Sequence, residues 1–284
     1  MRPRLLIVFA ALCFSTTGTM QELGPENANA LSVAAARTAI GAIALLLISQ
    51  LGRTESVRGR LPLRELALAG AGMALYAVAF FSAVRMTGIA VGTVVALGSA
   101  PLFAGLGSLV IWRDRPSVRW ALTTLVAVLG MALIVATGDE TQIDVAGIAA
   151  ACAAGIGYAL FALSSKSIMS ESTNAAGAMA IVFGIATVLL SPIFILVDFA
   201  WITSWNGVGT AAWLGIVSVA LAYWAYSTGL RSVTPADATA LTIVEPVAAT
   251  LLAAFVLREQ PGLLAWVGIV IVIGSLSIGS RRPS

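Results

Sequence analysis

The stretch Val110-Ile111-Trp112-Arg113-Asp114-Arg115-Pro116 decides the fold, because it returns 145 positions later as Phe255-Val256-Leu257-Arg258-Glu259-Gln260-Pro261. Each copy closes an apolar run with an arginine, then an acid, then a proline. At the same offset Pro101 meets Pro246, each inside an apolar run that ends in one of these charged turns. A mostly apolar chain built from two such halves has the pattern of a transporter that moves a small solute through the seam between its repeats.

Composition sets the solvent. Of 284 residues 59% are hydrophobic and only 10% charged, with a mean hydropathy of +0.98. A soluble domain cannot hide that much apolar surface, so lipid surrounds most of it. No stretch is long and polar enough for a separate soluble domain, which argues against a membrane-tethered enzyme. Histidine is absent, which removes the commonest metal ligand and the usual proton shuttle. Cys13 and Cys152 lie in apolar runs without a CxxC pair, and read as small buried hydrophobes rather than a disulfide or zinc site. No cofactor is expected. The pI near 9.2 reflects basic residues at helix ends, not a nucleic-acid surface. Met1-Arg2-Pro3-Arg4 before an apolar run looks like a signal peptide. No small-x-small cleavage site follows, so the run is expected to stay as a first transmembrane helix.

Apolar runs of about 17–25 residues between charge or turn clusters predict ten spans, at 5–21, 30–51, 66–86, 88–112, 117–137, 146–168, 177–198, 209–230, 236–257 and 262–280. Pro116, Pro235 and Pro261 stand where a first helical turn tolerates a missing N–H, and Gly52 and Gly138 just past helix ends. With the N-terminus inside, Arg2, Arg4, Arg53, Arg58, Arg60, Arg64, Arg113, Arg115, Arg119, Lys166, Arg231, Arg281 and Arg282 all fall on the cytoplasmic side. Only Arg85 and Arg258 fall outside, and Arg37 lies within a span. That bias puts both termini in the cytoplasm, which in a bacterial cell means a multi-pass protein of the inner (plasma) membrane. Five spans per half then insert the halves upside down relative to each other. The expected fold is an all-α membrane protein of two inverted five-helix repeats, residues 1–138 and 139–284.

At several blocks the chain resembles the drug/metabolite transporter superfamily, specifically the EamA-type ten-helix transporters. The second half carries it best: Trp213-Leu214-Gly215-Ile216-Val217, Ala220-Leu221-Ala222-Tyr223, Gly229-Leu230-Arg231, Glu245-Pro246-Val247, Arg258-Glu259 and Trp266-Val267-Gly268. In the first half Arg37, Ala83-Val84-Arg85, Ala100-Pro101-Leu102-Phe103 and the acid turn at Asp114 follow the same pattern. Asp114 stands where the family usually has glutamate, and the aromatic-Gly signature of helix one is met only loosely by Phe14-Ser15-Thr16-Thr17-Gly18. The resemblance implies eight helices around a central cavity, with helices five and ten packed outside. It leans toward amino-acid exporters, including the aromatic amino-acid exporter subgroup.

Glu245 is the only acid well inside a predicted span, and a carboxylate in a bilayer is costly enough to be a functional candidate. It can bind a cationic amino group or take up a proton; equally it can be a structural carboxyl beside the backbone loosened by Pro246. That proline leaves the carbonyl of Thr242 without its usual partner, as Pro101 does for Leu97. Arg37 can attract a substrate carboxylate, pair with Glu245 as a tie, or snorkel. Lys166 lies close enough to the boundary for snorkelling. Tyr76 and Phe80 share a helical face, as do Tyr158 and Phe161, and Tyr223 and Tyr226. Rings and hydroxyls in an apolar cavity suit a neutral or aromatic amino acid; Tyr76, Phe80, Tyr158 and Tyr223 face either that cavity or the helix packing. Trp112, Trp201 and Trp205 read as an interfacial belt. Ser99 and Thr242, near the two prolines, contact cargo or re-satisfy backbone. Gly88, Gly92, Gly105, Gly107 and Gly184 read as sites of close helix approach, and Pro101 and Pro246 as gating positions.

The expected function is export of aromatic or neutral amino acids, or related small metabolites, by alternating access. The alternative is proton-coupled efflux of multiple drugs or cationic compounds through Glu245. An intramembrane enzyme lacks any dyad, metal cluster or paired acids to support it. The expected partners are a small-molecule substrate and the lipid bilayer, not nucleic acid, and a homodimer is compatible.

Overall fold

Apolar runs become helices here because lipid offers the backbone no partner, so each N–H and C=O is satisfied within its own segment. The computed structural model describes residues 3–51, 62–135, 144–172, 174–258 and 260–279, and all regular structure among them is helical. In order these are α1 (Pro3–Glu22), α2 (Ala30–Leu51), α3 (Leu63–Trp112), α4 (Val118–Val135), α5 (Val145–Glu171), α6 (Ala175–Leu189), the single turn α7 (Ile193–Leu196), α8 (Trp205–Gly215), α9 (Ala222–Leu230), α10 (Pro235–Leu241), α11 (Val244–Leu252) and α12 (Leu263–Gly279). Wider π-type turns at Ile216–Leu221 and Ala253–Leu257 extend α8 into α9 and prolong α11.

Among the described residues seven stretches are long and apolar enough to cross a membrane: Pro3–Glu22, Ala30–Leu51, Leu63–Thr87, Val91–Trp112, Val145–Glu171, Trp205–Leu230 and Pro235–Leu257. Val118–Ile134, Ala175–Leu189 and Leu263–Ser275 are shorter apolar helices. Large side chains such as Val110, Ile195 and Phe255 point outward, as a lipid-facing surface requires. The helix-ending glycines Gly52 and Gly138, and the charges Arg2, Arg53, Arg58, Arg60, Asp139, Glu140, Glu259, Arg281 and Arg282, lie outside the described residues.

Helical turns follow one another from Leu63 to Trp112, yet α3 is two legs, Leu63–Thr87 and Val91–Trp112, that double back on each other. A β-carbon at Gly92 would stand 3.1 Å from the Cα of Val84, whereas eight residues of straight helix span about 12 Å. The two legs therefore reverse between these residues, where the sequence separates spans 66–86 and 88–112. Helix α5 packs against both legs. It runs antiparallel to the first, with Gly157 against Tyr76 and Gly147 against Met86, and parallel to the second, with Gly155 against Ala96 and Leu163 against Gly107. Backbone meets backbone in the first of these contacts: a β-carbon at Gly157 would fall 2.7 Å from the carbonyl oxygen of Gly72, so only glycine fits.

Two further crossings mirror each other. A β-carbon at Gly70 would stand 2.7 Å from Cβ of Ile185, and one at Gly215 would stand 2.6 Å from Cβ of Ile40. The glycines are 145 residues apart, and so are the isoleucines. The same offset joins Arg113 and Arg258, the two non-glycine residues with positive φ among those described, at 55° and 59°. Both end a helix in the left-handed conformation that usually calls for glycine.

The ends of the bundle follow from contacts. At one end the Pro3 carbonyl lies against Gly229, and Lys166 Nζ donates to the carbonyls of Leu230, Arg231 and Val233 at 2.8, 2.9 and 2.9 Å. At the other, Asn206 Nδ2 donates to the Leu23 carbonyl at 3.0 Å. Local side chains start the helices: Asp144, Asn174, Ser204 and Thr234 each accept a backbone N–H from the first turn of α5, α6, α8 and α10. The main core joins α1, α2, the first leg of α3, α5, α6 and α9. A second, smaller core forms where α4 and α12 cross at Gly130 and Gly268, with Leu97, Met131, Ile243 and Val247 beneath them.

Three expectations are corrected. The span expected over 177–198 stops at Leu189, because Pro192 has no N–H for the Val188 carbonyl and the N–H of Ser191 takes it instead at 3.1 Å. Trp201 is no belt residue: it is 2% exposed and its indole N–H donates to Ser32 Oγ at 2.8 Å. Trp112 and Trp205 are exposed. Gly184 meets nothing within 4 Å, so close approach does not account for it; Gly92, Gly105 and Gly107 do sit in tight contacts.

Candidate functional site

Helix packing brings the expected aromatic pairs of α3, α5 and α9 into one continuous run of rings. Phe81 meets Phe80 edge-on at 5.5 Å, Phe80 stacks on Tyr76 at 5.5 Å, and Tyr76 meets Tyr158 at 5.6 Å. From Tyr158 the run continues to Phe161 at 6.0 Å and Tyr226 at 6.2 Å. Tyr223 packs on Phe161 at 5.3 Å, on Phe14 at 4.8 Å and on Phe183 at 4.6 Å. Four expected residues, Tyr76, Phe80, Tyr158 and Tyr223, are thus joined through rings from α3, α5 and α9. Aromatic pairs at such separations contribute about 0.5–1.5 kcal/mol each beyond area burial.

Sequence reasoning missed Phe14 and Phe183. Phe14 lies in the loosely matched segment of helix one, and Phe183 has no aromatic neighbour at helical spacing. Their roles come from other helices, so no local signal marked them. The Tyr226 hydroxyl is buried beside that of Tyr158.

The charges converge on the same rings. Glu245 and Arg37 interact electrostatically, both act on Tyr76 and Tyr223, and Glu245 also acts on Tyr158. No direct ion pair closes between Arg37 and Glu245, and both side chains are half-buried. Glu245 owes its position to a break in the backbone. Helix α10 ends at Leu241, Thr242 and Ile243 form a turn, and α11 starts at Val244 with Glu245 in its first turn. The Thr242 carbonyl, orphaned by Pro246, is recovered by the Glu245 N–H at 2.9 Å. An acid in the first turn of α11 faces the positive end of that helix's dipole.

The remaining candidates are more structural. Ser99 Oγ points at Gly155 of α5 and donates to the Ala96 carbonyl at 3.3 Å, which places it in a helix contact. Thr242 is buried and its hydroxyl donates to the Thr239 carbonyl at 2.7 Å. Pro101 lies buried in the unbroken second leg of α3, and Pro246, also buried, in the first turn of α11. Lys166 does not snorkel: its three carbonyl bonds cap the end of α9. Near the π-type turn, Thr16 Oγ1 lies 3.1 Å from Ser218 Oγ and accepts the Trp213 indole N–H at 3.1 Å.

The family model for EamA-like transporters matches residues 1–136 and again 145–280. The chain belongs to the EamA-like transporter family. It is 37% identical over 280 residues to the uncharacterized transporter YwfM of Bacillus subtilis (strain 168), covering 98% of this chain and 94% of that one. A protein of known crystal structure superposes over 99% of both chains with a TM-score of 0.83 at 19% identity, a likeness of fold alone. Membership makes the chain a multi-pass membrane transporter rather than an enzyme. Among the described residues no group of three or more acids and cysteines stands close enough to hold a metal.

Proposed function

We propose that the protein exports aromatic or other neutral amino acids, or related small metabolites, across the inner membrane by alternating access. The observation that carries this reading is the run of rings from Phe81 to Tyr223 with Arg37 and Glu245 acting on it. A zwitterion with an aromatic body needs such a site: apolar walls, a cation for its carboxylate and an anion for its ammonium. In low dielectric these few polar groups fix orientation, while the rings accept the side chain.

The pathway is the seam between two inverted five-helix repeats, residues 1–138 and 139–284, with both termini cytoplasmic. Seven long spans and three shorter apolar helices supply the ten crossings. The exchanged partners Gly70–Ile185 and Gly215–Ile40, the paired left-handed arginines and the two matched stretches support the repeat. The break at Thr242–Ile243 supports a hinge in the second half, where backbone departs from regular helix beside the site.

The test is counterflow in proteoliposomes loaded with aromatic, aliphatic and charged amino acids, with and without a pH gradient, for wild type and Glu245→Gln. Exchange of neutral and aromatic amino acids that ignores the gradient is the expected result. Uptake of cationic drugs alone, driven by the gradient and lost in the variant, would overturn it in favour of proton-coupled efflux.

A further inference from the structure

A cavity of about 290 Å³ is lined by Leu31, Phe81, Ser82, Arg85 and Met86. Leu31 stands in the first turn of α2, and Arg85 at the far end of the first leg of α3, so the cavity opens at the end of the bundle away from Pro3 and Lys166. Arg85 is exposed, and no carboxylate among the described residues pairs with it. In the orientation proposed above this end is external, where basic residues are disfavoured. An arginine that runs against the charge bias and lines a cavity with no carboxylate partner among the described residues is placed to meet an external one. The apolar lining is continuous with the site, because Phe81 is the first ring of the run that leads through Phe80 and Tyr76 to Tyr158.

We propose that this cavity is an outer docking site for the carboxylate of an amino acid, with Arg85 as its anchor. The planar guanidinium presents two parallel N–H donors that match a carboxylate. Phe81, Leu31 and Met86 receive the apolar side chain, and the Ser82 hydroxyl, donating to the Val78 carbonyl at 2.8 Å, keeps its lone pairs for the ammonium group. An exporter with this site holds its cargo at the mouth after release from the aromatic run. Amino acids in the medium then compete for the same place and slow release. The inference rests on the amino-acid reading and on the orientation above.

The experiment uses the full chain in intact cells, with Cys13→Ala and Cys152→Ala and a single thiol introduced at the exposed apolar wall by Met86→Cys, which leaves the Ser82 hydroxyl in place. Anionic and cationic membrane-impermeant methanethiosulfonates are applied from outside. The anionic reagent is expected to react faster, by about ten-fold for one uncompensated charge at close range. Arg85→Gln erases that preference and Arg85→Lys keeps most of it. Phenylalanine slows the reaction, and phenethylamine, which has the ring but no carboxylate, does not. No labelling from outside, a charge preference that survives Arg85→Gln, or equal protection by phenethylamine would overturn the docking site. Counterflow of phenylalanine measured alongside separates the two ideas. Exchange without the labelling pattern sinks the docking site alone, and the labelling pattern without exchange sinks the export reading alone.

Discussion

The leg Val91–Trp112 and its counterpart Pro235–Leu257 share a mid-run proline and a closing arginine in left-handed backbone, yet only the second breaks. The first carries Ala100 before Pro101 and stays helical throughout. The second carries Glu245 before Pro246, turns at Thr242–Ile243 and widens again at Ala253–Leu257. A second π-type turn, at Ile216–Leu221, falls in the same half. A proline alone therefore does not break the helix. The four residues before the proline differ throughout, Leu97-Gly98-Ser99-Ala100 against Thr242-Ile243-Val244-Glu245. Only the second set brings a charge into an apolar interior, where irregular backbone is commonly found. One leg stays regular, and the other bends beside its acid.

The largest effect tests that contrast directly. Ala100 is 1% exposed, so Ala100→Glu buries a carboxylate with no prepared turn. It should cost about 3 kcal/mol, read as a lower unfolding midpoint in detergent. Glu245→Ala should instead leave the midpoint nearly unchanged and lower amino-acid exchange by about 10–100-fold, the value of one charge-assisted hydrogen bond. If both substitutions act on stability alone, the two legs do not differ in role.

An intermediate effect tests the symmetry. Gly70→Ala and Gly215→Ala each push a methyl group into an isoleucine, at a cost of about 1–3 kcal/mol. Ile185→Ala should relieve the first and Ile40→Ala the second, with no rescue across the pairs. Thermal unfolding of the singles and doubles checks this, and rescue in the wrong pair would break the equivalence of the two crossings. Smaller still, Arg113→Gly and Arg258→Gly should each stabilise by about 1 kcal/mol by removing the left-handed penalty. Unequal gains would mean that one arginine side chain does something its partner does not.

Much of this was legible in the chain. The ends of the long spans lay close to the charge and turn clusters, and the reversal near Gly92 fell between two apolar runs. The 145-residue offset pointed to Pro101 and Pro246, but not to the glycine–isoleucine crossings. Those depend on which helices meet, which no local pattern encodes. The same limit hid Phe14 and the burial of Trp201, each decided by a partner more than a hundred residues away, and Phe183, whose ring partners Phe161 and Tyr223 stand on other helices. Lys166 looked like a boundary residue because its distance from a helix end is local information, whereas its three carbonyl partners lie 64 to 67 residues onward.

That gap in the chain has a consequence for biogenesis. At about 5–20 residues per second of translation, the carbonyls that Lys166 will hold, 64 to 67 residues downstream, leave the ribosome roughly 3–13 s after the lysine itself. Over that interval the ammonium lacks the three carbonyls that hold it in the folded chain, so this end of α5 is fixed only when α9 arrives.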